Sequence, residues 1–331
     1  MTSKTPGDRS HPLRRLGETD IFVSPVALGC WPIAGMTSLN VNDSDSRATI
    51  RACLEYGVNF LDTAYCYGAL GESECLIAEA IGIHRHEFVV ATKAGIHWDA
   101  KGVRQVDGRP TTLRKECETS LRRLKTDCVE LLYLHAPDPH TPITESAGEL
   151  SRLQHEGKAR SIGLSNATLA EIQAFHSVCP LSAVQPPYNM LQREIERDIL
   201  PWCRAHHVSV MVYWPLMKGL LAGKLPRDYI FDPRDGRAKY PMFHGQEWNK
   251  NQDLVDRLRV IAQTAGKTLA QLVVNWTIHQ PGITAALCGA KRPDQIIETA
   301  GAMGWELTEE QRSQIDQALA ERGQAVTRAA V

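Results

Sequence analysis

Short apolar segments rich in β-branched residues alternate along this chain with polar segments of helical periodicity. The apolar segments lie at residues 22–29, 58–63, 88–93, 128–135, 160–165, 182–188, 208–214 and 284–289. The polar segments lie at residues 43–56, 71–83, 111–125, 142–157, 167–177 and 193–206, with a longer one from 217 to 281. In the 111–125 segment, one helical face carries Leu113, Cys117, Leu121 and Leu124. The chain is therefore predicted to alternate strands with amphipathic helices.

Apolar strands that alternate with amphipathic helices form a parallel sheet covered by helices. Eight such units predict an α/β fold of the closed (β/α)8, or TIM, barrel type. The length of 331 residues fits one large barrel or two ordinary domains. Because no linker or low-complexity segment divides the chain, a single barrel domain over residues 14–322 is favoured. Residues 1–13 are predicted to be a mobile tail, and residues 323–331 a C-terminal tail.

Composition excludes several classes of function. The formal net charge is -1 and the isoelectric point about 6.9, so no basic field points to nucleic acid or a membrane surface. No apolar run approaches the roughly 20 residues that span a bilayer, and residues 1–13 lack the apolar core of a secretory signal. The nine cysteines contain no CxxC pair, which favours reduced thiols and a cytoplasmic location. His84, His86, His206 and His207 lack a third ligand at useful spacing, so no metal is expected.

Polar residues gather where the predicted strands end, and in such a barrel the carboxyl ends of the strands form the active site. In chain order these residues are Gly29, Cys30, Trp31, Asp62, Lys93, His135, Ser165, Asn166, Gln185, Tyr213, Trp214, Gly289, Lys291 and Arg292. Each has a structural alternative, since a strand-end Asp often caps a helix and Ser-Asn often opens a turn. Their convergence on one rim favours function.

Three of these positions, Asp62, Lys93 and His135, suit a proton-donating site together with Tyr67, which follows Asp62 by five residues on the loop. A free tyrosine, with a pKa of about 10, is a poor acid at neutral pH. A nearby Lys93 ammonium would stabilise the phenolate and lower that pKa, and Asp62 would hold Lys93 in place. His135 would orient a carbonyl oxygen. The alternative for Tyr67 is a buried aromatic ring beside a turn.

Seven motifs resemble those of the aldo-keto reductases, from about residue 13 to residue 322. They are D-T-A-x-x-Y-G at 62–68, A-T-K at 91–93, Y-x-H-x-P-D at 133–138, G-L-S-N at 163–166, Q-P-P-Y-N at 185–189, Y-x-P-L-x-x-G-L-L-x-G-K at 213–224 and G-A-K-R-P-x-Q at 289–295. The segments Q-P-P-Y-N at 185–189 and G-W-E-L-T-E-E-Q at 304–311 look like those of the bacterial branch with a full barrel. The resemblance implies an oxidoreductase that reduces aldehydes and ketones with NADPH, often reversibly, with NAD also possible. There is no GxGxxG that would favour a Rossmann site.

The resemblance also implies roles for individual residues. Catalysis falls to Asp62, Tyr67, Lys93 and His135. The substrate pocket is assigned Trp31, Tyr65, Trp98 and His135. The cofactor site is assigned Gly29, Cys30, Trp31, Asp62, Ser165, Asn166, Gln185, Tyr213, Trp214, Pro215, Leu216, Gly219, Leu221, Lys224, Arg227, Gly289, Lys291, Arg292, Gln295, Glu298 and Thr299.

Within the cofactor site, Ser165, Asn166 and Gln185 match the partners of the nicotinamide carboxamide. Tyr213 matches the ring that stacks on the nicotinamide. Lys291 and Arg292 precede a predicted helix start at Pro293, which suits a 2′-phosphate and favours NADP. Gln295, Glu298 and Thr299 match the adenine-ribose end, although the family often has Asn at the position of Thr299. Relatives commonly carry Thr where Cys30 stands.

Several alternatives stay open at this level. Lys291 and Arg292 are also compatible with solvated loop cations, and Trp98 with a hydrophobic rim that does not touch substrate. The segment 216–250, with Lys224 and Arg227, suits either a lid over the cofactor or an ordinary surface insertion followed by one or two extra helices. The protein as a whole is either an enzyme acting on a small carbonyl compound or a cofactor-binding regulatory subunit. The sequence leaves homo-oligomerisation open.

Overall fold

Eight parallel strands form one closed barrel in the computed structural model, which describes residues 11–36 and 39–326. The strands β1–β8 are Val26–Gly29, Phe60–Asp62, Val89–Ala94, Val129–Leu134, Ala159–Ser165, Ala183–Gln185, Ser209–Tyr213 and Ile283–Gly289. Each strand pairs with its neighbour in chain order, and β8 pairs with β1 to close the sheet. The predicted single-domain (β/α)8 barrel is confirmed.

Helices cover the outside of the barrel. In the described residues α1–α10 are Asp43–Glu55, Glu72–Ile81, Pro110–Leu124, Ile143–His155, Leu169–His176, Ile199–Ala205, Gly245–Thr264, Leu269–Ile278, Pro293–Ala300 and Glu309–Arg322. The segment between β7 and α7 contains short 3₁₀ turns, at Met217–Ala222, Gly236–Lys239 and Pro241–Phe243. Both α7 and α8 separate β7 from β8, so the predicted long loop with extra helices is confirmed.

Two predicted boundaries were wrong. The segment 22–29 is not one strand, because Phe22–Val23 pairs antiparallel with Arg14–Arg15 in a hairpin outside the barrel. The break falls at Ser24, whose backbone N–H donates to Asn59 Oδ1 at 2.7 Å instead of to a strand neighbour. The helix predicted from residue 193 begins only at Ile199, after a 3₁₀ turn at Glu194–Glu196.

A hairpin between β3 and α3 was missed altogether. Its strands, Ile96–Trp98 and Arg104–Val106, pair antiparallel at the rim of the barrel. Each strand has only three residues and, unlike the short barrel strands, stands in no longer apolar run that would indicate a strand. We call these residues, with the turn between them, the rim hairpin.

The barrel has an outer and an inner hydrophobic core. The outer core packs the helices against the sheet and includes Leu113, Leu132 and Val273. The inner core fills the barrel with side chains such as Phe60 and Tyr133, and the N-terminal hairpin contributes Leu16, Ile21 and Val23 to it. The hairpin therefore closes the end of the barrel opposite the predicted active site.

The predicted tails lie mostly outside the described residues, which exclude 1–10 and 327–331. Among the helices that are described, none combines the length and the apolar character needed to cross a bilayer. Residues 11–36 and 39–326 contain no group of three His, Cys, Asp or Glu side chains placed to hold a metal ion.

The inner core requires a glycine at position 163. A Cβ atom there would lie 2.4 Å from the ring of Tyr133, which is fully buried. We expect Gly163→Ala to lower the free energy of unfolding by about 1–3 kcal/mol, the usual effect of overpacking a core. The midpoint of chemical denaturation measures this. The matched control is Gly148→Ala in α4, where a Cβ meets no atom within 4 Å. Helix propensity predicts a gain of roughly 0.5–1 kcal/mol there. An unchanged midpoint for Gly163→Ala would contradict the tight fit.

Candidate active site

A buried ion pair joins the carboxyl ends of β2 and β3. Lys93 Nζ lies 2.5 Å from Asp62 Oδ1, and both side chains are almost fully buried. Nζ also donates to the Thr63 carbonyl oxygen at 2.8 Å and to Tyr67 Oη at 3.3 Å. The amide of Gln185, at the end of β6, donates to Asp62 Oδ2 at 2.7 Å. Both carboxylate oxygens of Asp62 are thus engaged, and the ammonium is fixed beside the tyrosine hydroxyl.

The loop between β2 and α2 holds Tyr67 over this pair. The loop is fixed by the Thr63 and Ser73 hydroxyls, which are 2.8 Å apart, and by the Ser73 N–H, which donates to the Tyr67 carbonyl oxygen at 3.2 Å. The Tyr67 ring meets Trp31 edge to face, with centroids 5.0 Å apart, and His135 at 5.9 Å. Gly68 has φ +101°, a conformation that favours glycine. The motif D-T-A-x-x-Y-G therefore aims the hydroxyl at the rim.

The structure corrects the expected direction of the Tyr67 pKa. Burial, followed by the negative charge of Asp62, raises the pKa of Tyr67 well above its usual value. Asp62 neutralises most of the effect of Lys93, because the carboxylate is closer to Nζ than the phenol is. Tyr67 therefore keeps its proton at neutral pH.

His135 follows β4 and is neutral. Burial, with the positive charges of Lys93 and Arg104, lowers the pKa of His135 well below its usual value. Its Nδ1 lies 3.6 Å from the Sγ of Cys66, whose pKa burial raises to about 12. A protonated thiol can donate weakly to Nδ1, and in that arrangement the neutral imidazole carries its hydrogen on Nε2. The contact with Cys66 was not predicted, because it joins residues 69 positions apart in the chain.

The ends of β5, β6 and β7 are joined by a hydrogen-bond network. Tyr213 Oη donates to Asn166 Oδ1 at 2.8 Å, and Asn166 Nδ2 donates to the His135 carbonyl oxygen at 2.9 Å. Ser165 Oγ donates to the Gln185 carbonyl oxygen at 2.9 Å. The predicted nicotinamide residues are thus brought together beside His135.

A group of cations surrounds the start of α9. Burial, followed by the charges of Arg292 and Arg237, lowers the pKa of Lys291. The Lys291 ammonium donates to the Leu39 carbonyl oxygen at 2.5 Å, and Arg292 Nε donates to Asp294 Oδ1 at 3.1 Å. Arg237 lies in the segment predicted as a lid and was not assigned to the cofactor. Its approach to Lys291 depends on how that segment folds back.

Other predicted cofactor residues have partners within the protein. Lys224 forms an ion pair with Glu298. Arg227 pairs with Asp253 and Asp256 of α7, at 2.7 and 2.6 Å. The Gln295 side-chain oxygen accepts the Lys291 backbone N–H at 2.9 Å. The buried Thr299 hydroxyl donates to carbonyl oxygens of its own helix. The cofactor roles of these residues stay predictions.

The remaining predicted residues fall into three settings. The strand-end group of Gly29, Cys30 and Gly289 lies where β1 and β8 meet, and Cys30 is fully buried with its pKa raised by burial. Trp214 has φ +61°, and Lys218 Nζ lies over its ring, 4.2 Å from the ring centre. The turn that follows, at the beginning of the long loop, carries Pro215, Leu216, Gly219 and Leu221.

The predicted substrate residues are not all on one side of the rim. Trp31 touches Tyr67, and Trp98 donates its indole N–H to the Cys66 carbonyl oxygen at 2.8 Å. Trp98 also packs in a small cluster with Tyr67. Tyr65 instead lies under the Arg123 guanidinium of α3, 4.6 Å from its ring centre. Trp31 and Trp98 therefore adjoin the tyrosine, whereas the ring of Tyr65 packs against a helix.

Comparison with known proteins agrees with this geometry. The family model for the aldo/keto reductase family matches residues 25–320. Aldo-keto reductase YhdN of Bacillus subtilis (strain 168) is 35% identical over 304 residues, which cover 91% of this chain and 91% of that protein. The NADH-specific methylglyoxal reductase of Escherichia coli (strain K12) is 33% identical over 310 residues, covering 89% of this chain and 94% of that protein.

Solved structures share the fold over nearly their whole length. The glycerol dehydrogenase AKR11B4 from Gluconobacter oxydans superposes with a TM-score of 0.88 at 36% identity, covering 96% of this chain and 98% of that one. The holo form of aldo-keto reductase AKR11C1 from Bacillus halodurans superposes with a TM-score of 0.78 at 25% identity, covering 97% and 98%. Because the family model and these relatives span almost all of the sequence, the chain belongs to the aldo/keto reductase family, whose members are oxidoreductases acting on carbonyl compounds and alcohols.

Proposed function

We propose that this oxidoreductase transfers hydride between NADPH and small aldehydes or ketones, or the corresponding alcohols, with Tyr67 as general acid and base. The observation that carries the proposal is the position of Lys93 Nζ, which donates to both Asp62 and Tyr67 in a buried setting. A carbonyl oxygen that receives negative charge needs a proton donor, and Tyr67 is a protonated group at the rim.

Each residue of the site has a distinct task in the proposed reaction. When bound, the cofactor supplies the hydride. Tyr67 gives its proton to the carbonyl oxygen, and the Lys93 ammonium stabilises the phenolate that is left. Asp62 fixes Lys93, and the Nε2–H of neutral His135 donates to the same carbonyl oxygen. Acid–base assistance of this kind typically contributes about 10²–10⁴-fold to the rate.

The residues present fit a nicotinamide dinucleotide. Burial, followed by the charges of Arg292 and Arg237, lowers the pKa of Lys291, and Arg237 has its own carboxylate partner in Asp235. An additional phosphate would relieve the repulsion among these cations. At the other end, Tyr213 presents its ring from β7 with the hydroxyl tied to Asn166. These features support binding of a 2′-phosphate by the cations near α9. They also support stacking of the nicotinamide on the ring of Tyr213.

The choice between NADPH and NADH depends on this chain's own residues. One relative is named an NADH-specific reductase, so membership of the family does not by itself decide between NADPH and NADH. We base the proposal of NADPH on the cations around α9. The nine cysteines, none bridged in the part of the chain that the structure describes, support a reducing compartment such as the cytoplasm.

Replacing the proposed acid tests the mechanism. Tyr67→Phe should lower kcat by about 10²-fold or more and leave NADPH binding intact, because only the proton donor is lost. Steady-state reduction of nitrobenzaldehyde and fluorescence titration with NADPH measure the two effects. Lys93→Met should be similarly damaging, with folding checked by circular dichroism because it leaves Asp62 buried and unpaired. Tyr56→Phe, at an exposed helix end, is the matched control. Near-normal turnover of Tyr67→Phe would refute the assignment.

The cations near α9 generate a prediction about cofactor choice. Replacing Lys291 and Arg292 together with Ala should raise KM for NADPH by roughly 10- to 100-fold, because charge-assisted hydrogen bonds to a phosphate are lost. KM for NADH should change much less. Arg160→Ala is the control, since Arg160 lies at the other end of the barrel. An equal rise in KM for NADPH and NADH would show that these cations do not bind the 2′-phosphate.

The contact between Cys66 and His135 generates a prediction about the imidazole tautomer. Cys66→Ala removes the donor facing Nδ1 and should lower kcat by about 5-fold, the effect of one neutral hydrogen bond. Cys66→Ser keeps a donor and should retain more activity. Nitrogen-15 NMR of the His135 side chain should show Nε2 protonated in the parent and a mixture of tautomers in Cys66→Ala. Cys75→Ala, in α2, is the control. An unchanged tautomer in Cys66→Ala would rule out this positioning role.

A further inference from the structure

The rim hairpin presents one face to the active site. Trp98 pairs with Arg104 and Ile96 with Val106, and paired residues of an antiparallel hairpin project to the same side. Trp98 bonds to the Cys66 carbonyl oxygen, and Ile96, Trp98 and Val106 pack in the small cluster that contains Tyr67. The face with Arg104 is therefore the one turned toward the catalytic tyrosine.

The opposite face of the rim hairpin is attached to α3. His97 Nδ1 lies 2.8 Å from Glu116 Oε1, and the Gly95 N–H donates to Glu116 Oε2 at 2.6 Å. Gln105, on the same face as His97, donates to Asp99 at 3.0 Å. These contacts fix the orientation of the hairpin, so the direction of Arg104 is not accidental.

Arg104 is a partly buried cation without a protein partner. In the described part of the chain its guanidinium makes no hydrogen bond and no ion pair. It is near enough to the catalytic centre that its charge contributes to lowering the pKa of His135. The other cation there, Lys93, is already neutralised by Asp62. The substrate side of the site therefore carries one uncompensated positive charge.

We propose that Arg104 binds an anionic group, carboxylate or phosphate, on a carbonyl substrate whose reactive oxygen lies between Tyr67 and His135. The inference rests on the proposed function and specifies its substrate class. A guanidinium presents its donors in a planar fork that matches both anions, and a partly buried setting strengthens the interaction. Trp98, across the hairpin from Arg104, provides an apolar surface for the carbon chain between the two ends of the substrate.

Matched pairs of charged and neutral substrates test the proposal kinetically. For the carboxylate source we would compare 4-oxobutanoate with its methyl ester, and for the phosphate source glyceraldehyde 3-phosphate with glyceraldehyde. Arg104→Met keeps an apolar stem and removes the charge. It should lower kcat/KM for the charged member that the enzyme prefers by roughly 10- to 100-fold, with a change below about 3-fold for the neutral member. Lys101→Met, at the exposed tip of the same hairpin, removes an equal charge and should leave kcat/KM unchanged for both the charged and the neutral substrate.

A binding measurement separates this inference from the proposed function. Calorimetric titration of the cofactor-loaded protein with succinate, an inert dicarboxylate, and with inorganic phosphate should give weaker binding of the favoured anion in Arg104→Met than in the parent. Dimethyl succinate is the neutral control. If no carbonyl compound is reduced but anion binding still depends on Arg104, the proposed reaction fails and the anion site stands. If neutral carbonyl compounds are reduced and Arg104→Met alters neither the charge preference nor anion binding, Arg104 is a solvated cation and the inference is overturned.

Discussion

The buried ion pair between Lys93 and Asp62 is the constraint on which the rest of the site depends. Two charges removed from water are costly unless geometry and additional hydrogen bonds compensate them. Here the Thr63 carbonyl oxygen and the Gln185 amide satisfy much of the remaining bonding capacity. Asp62 and Lys93 come from the neighbouring strands β2 and β3, whereas Gln185 comes from β6, so the complete set of bonds around the pair forms only when the barrel is closed. Assembly of the proposed proton-donating site is thereby coupled to completion of the fold.

The pair also explains why the tyrosine retains its proton. Lys93 is close enough to stabilise a phenolate, yet its charge is largely balanced by the nearer carboxylate of Asp62. In the resting site the burial of Tyr67 prevails, and the hydroxyl stays protonated. In the proposed reaction this balance favours a protonated Tyr67, and Lys93 would contribute most once the proton has left.

The sequence predicted the barrel and the composition of the rim because both depend on local patterns. Apolar strands followed by amphipathic helices have a strong periodic signal, and strand ends place Asp62, Lys93 and His135 on one edge. The hairpin strands, Ile-His-Trp and Arg-Gln-Val, mix polar and apolar residues and lie in no apolar run, so the rim hairpin and Arg104 were missed. The contact of Cys66 with His135 and the approach of Arg237 to Lys291 depend on how loops fold back, which spacing along the chain does not encode. The direction of the Tyr67 pKa required knowing that the hydroxyl is buried and that it lies near the negative charge of Asp62.

The rim hairpin is built as an attachment to the barrel and not as part of it. Its apolar residues pack in a small cluster around Ala64, Cys66 and Ala136, separate from the inner and outer cores. Changes in this cluster would alter the proposed substrate side of the site without removing side chains from the two cores around the sheet that holds Lys93 and Asp62. A chain organised this way can exchange one substrate for another through few substitutions, while the catalytic chemistry and the stability of the barrel persist. The separation of the small cluster from the two cores thus lets the proposed substrate side vary independently of the barrel's packing.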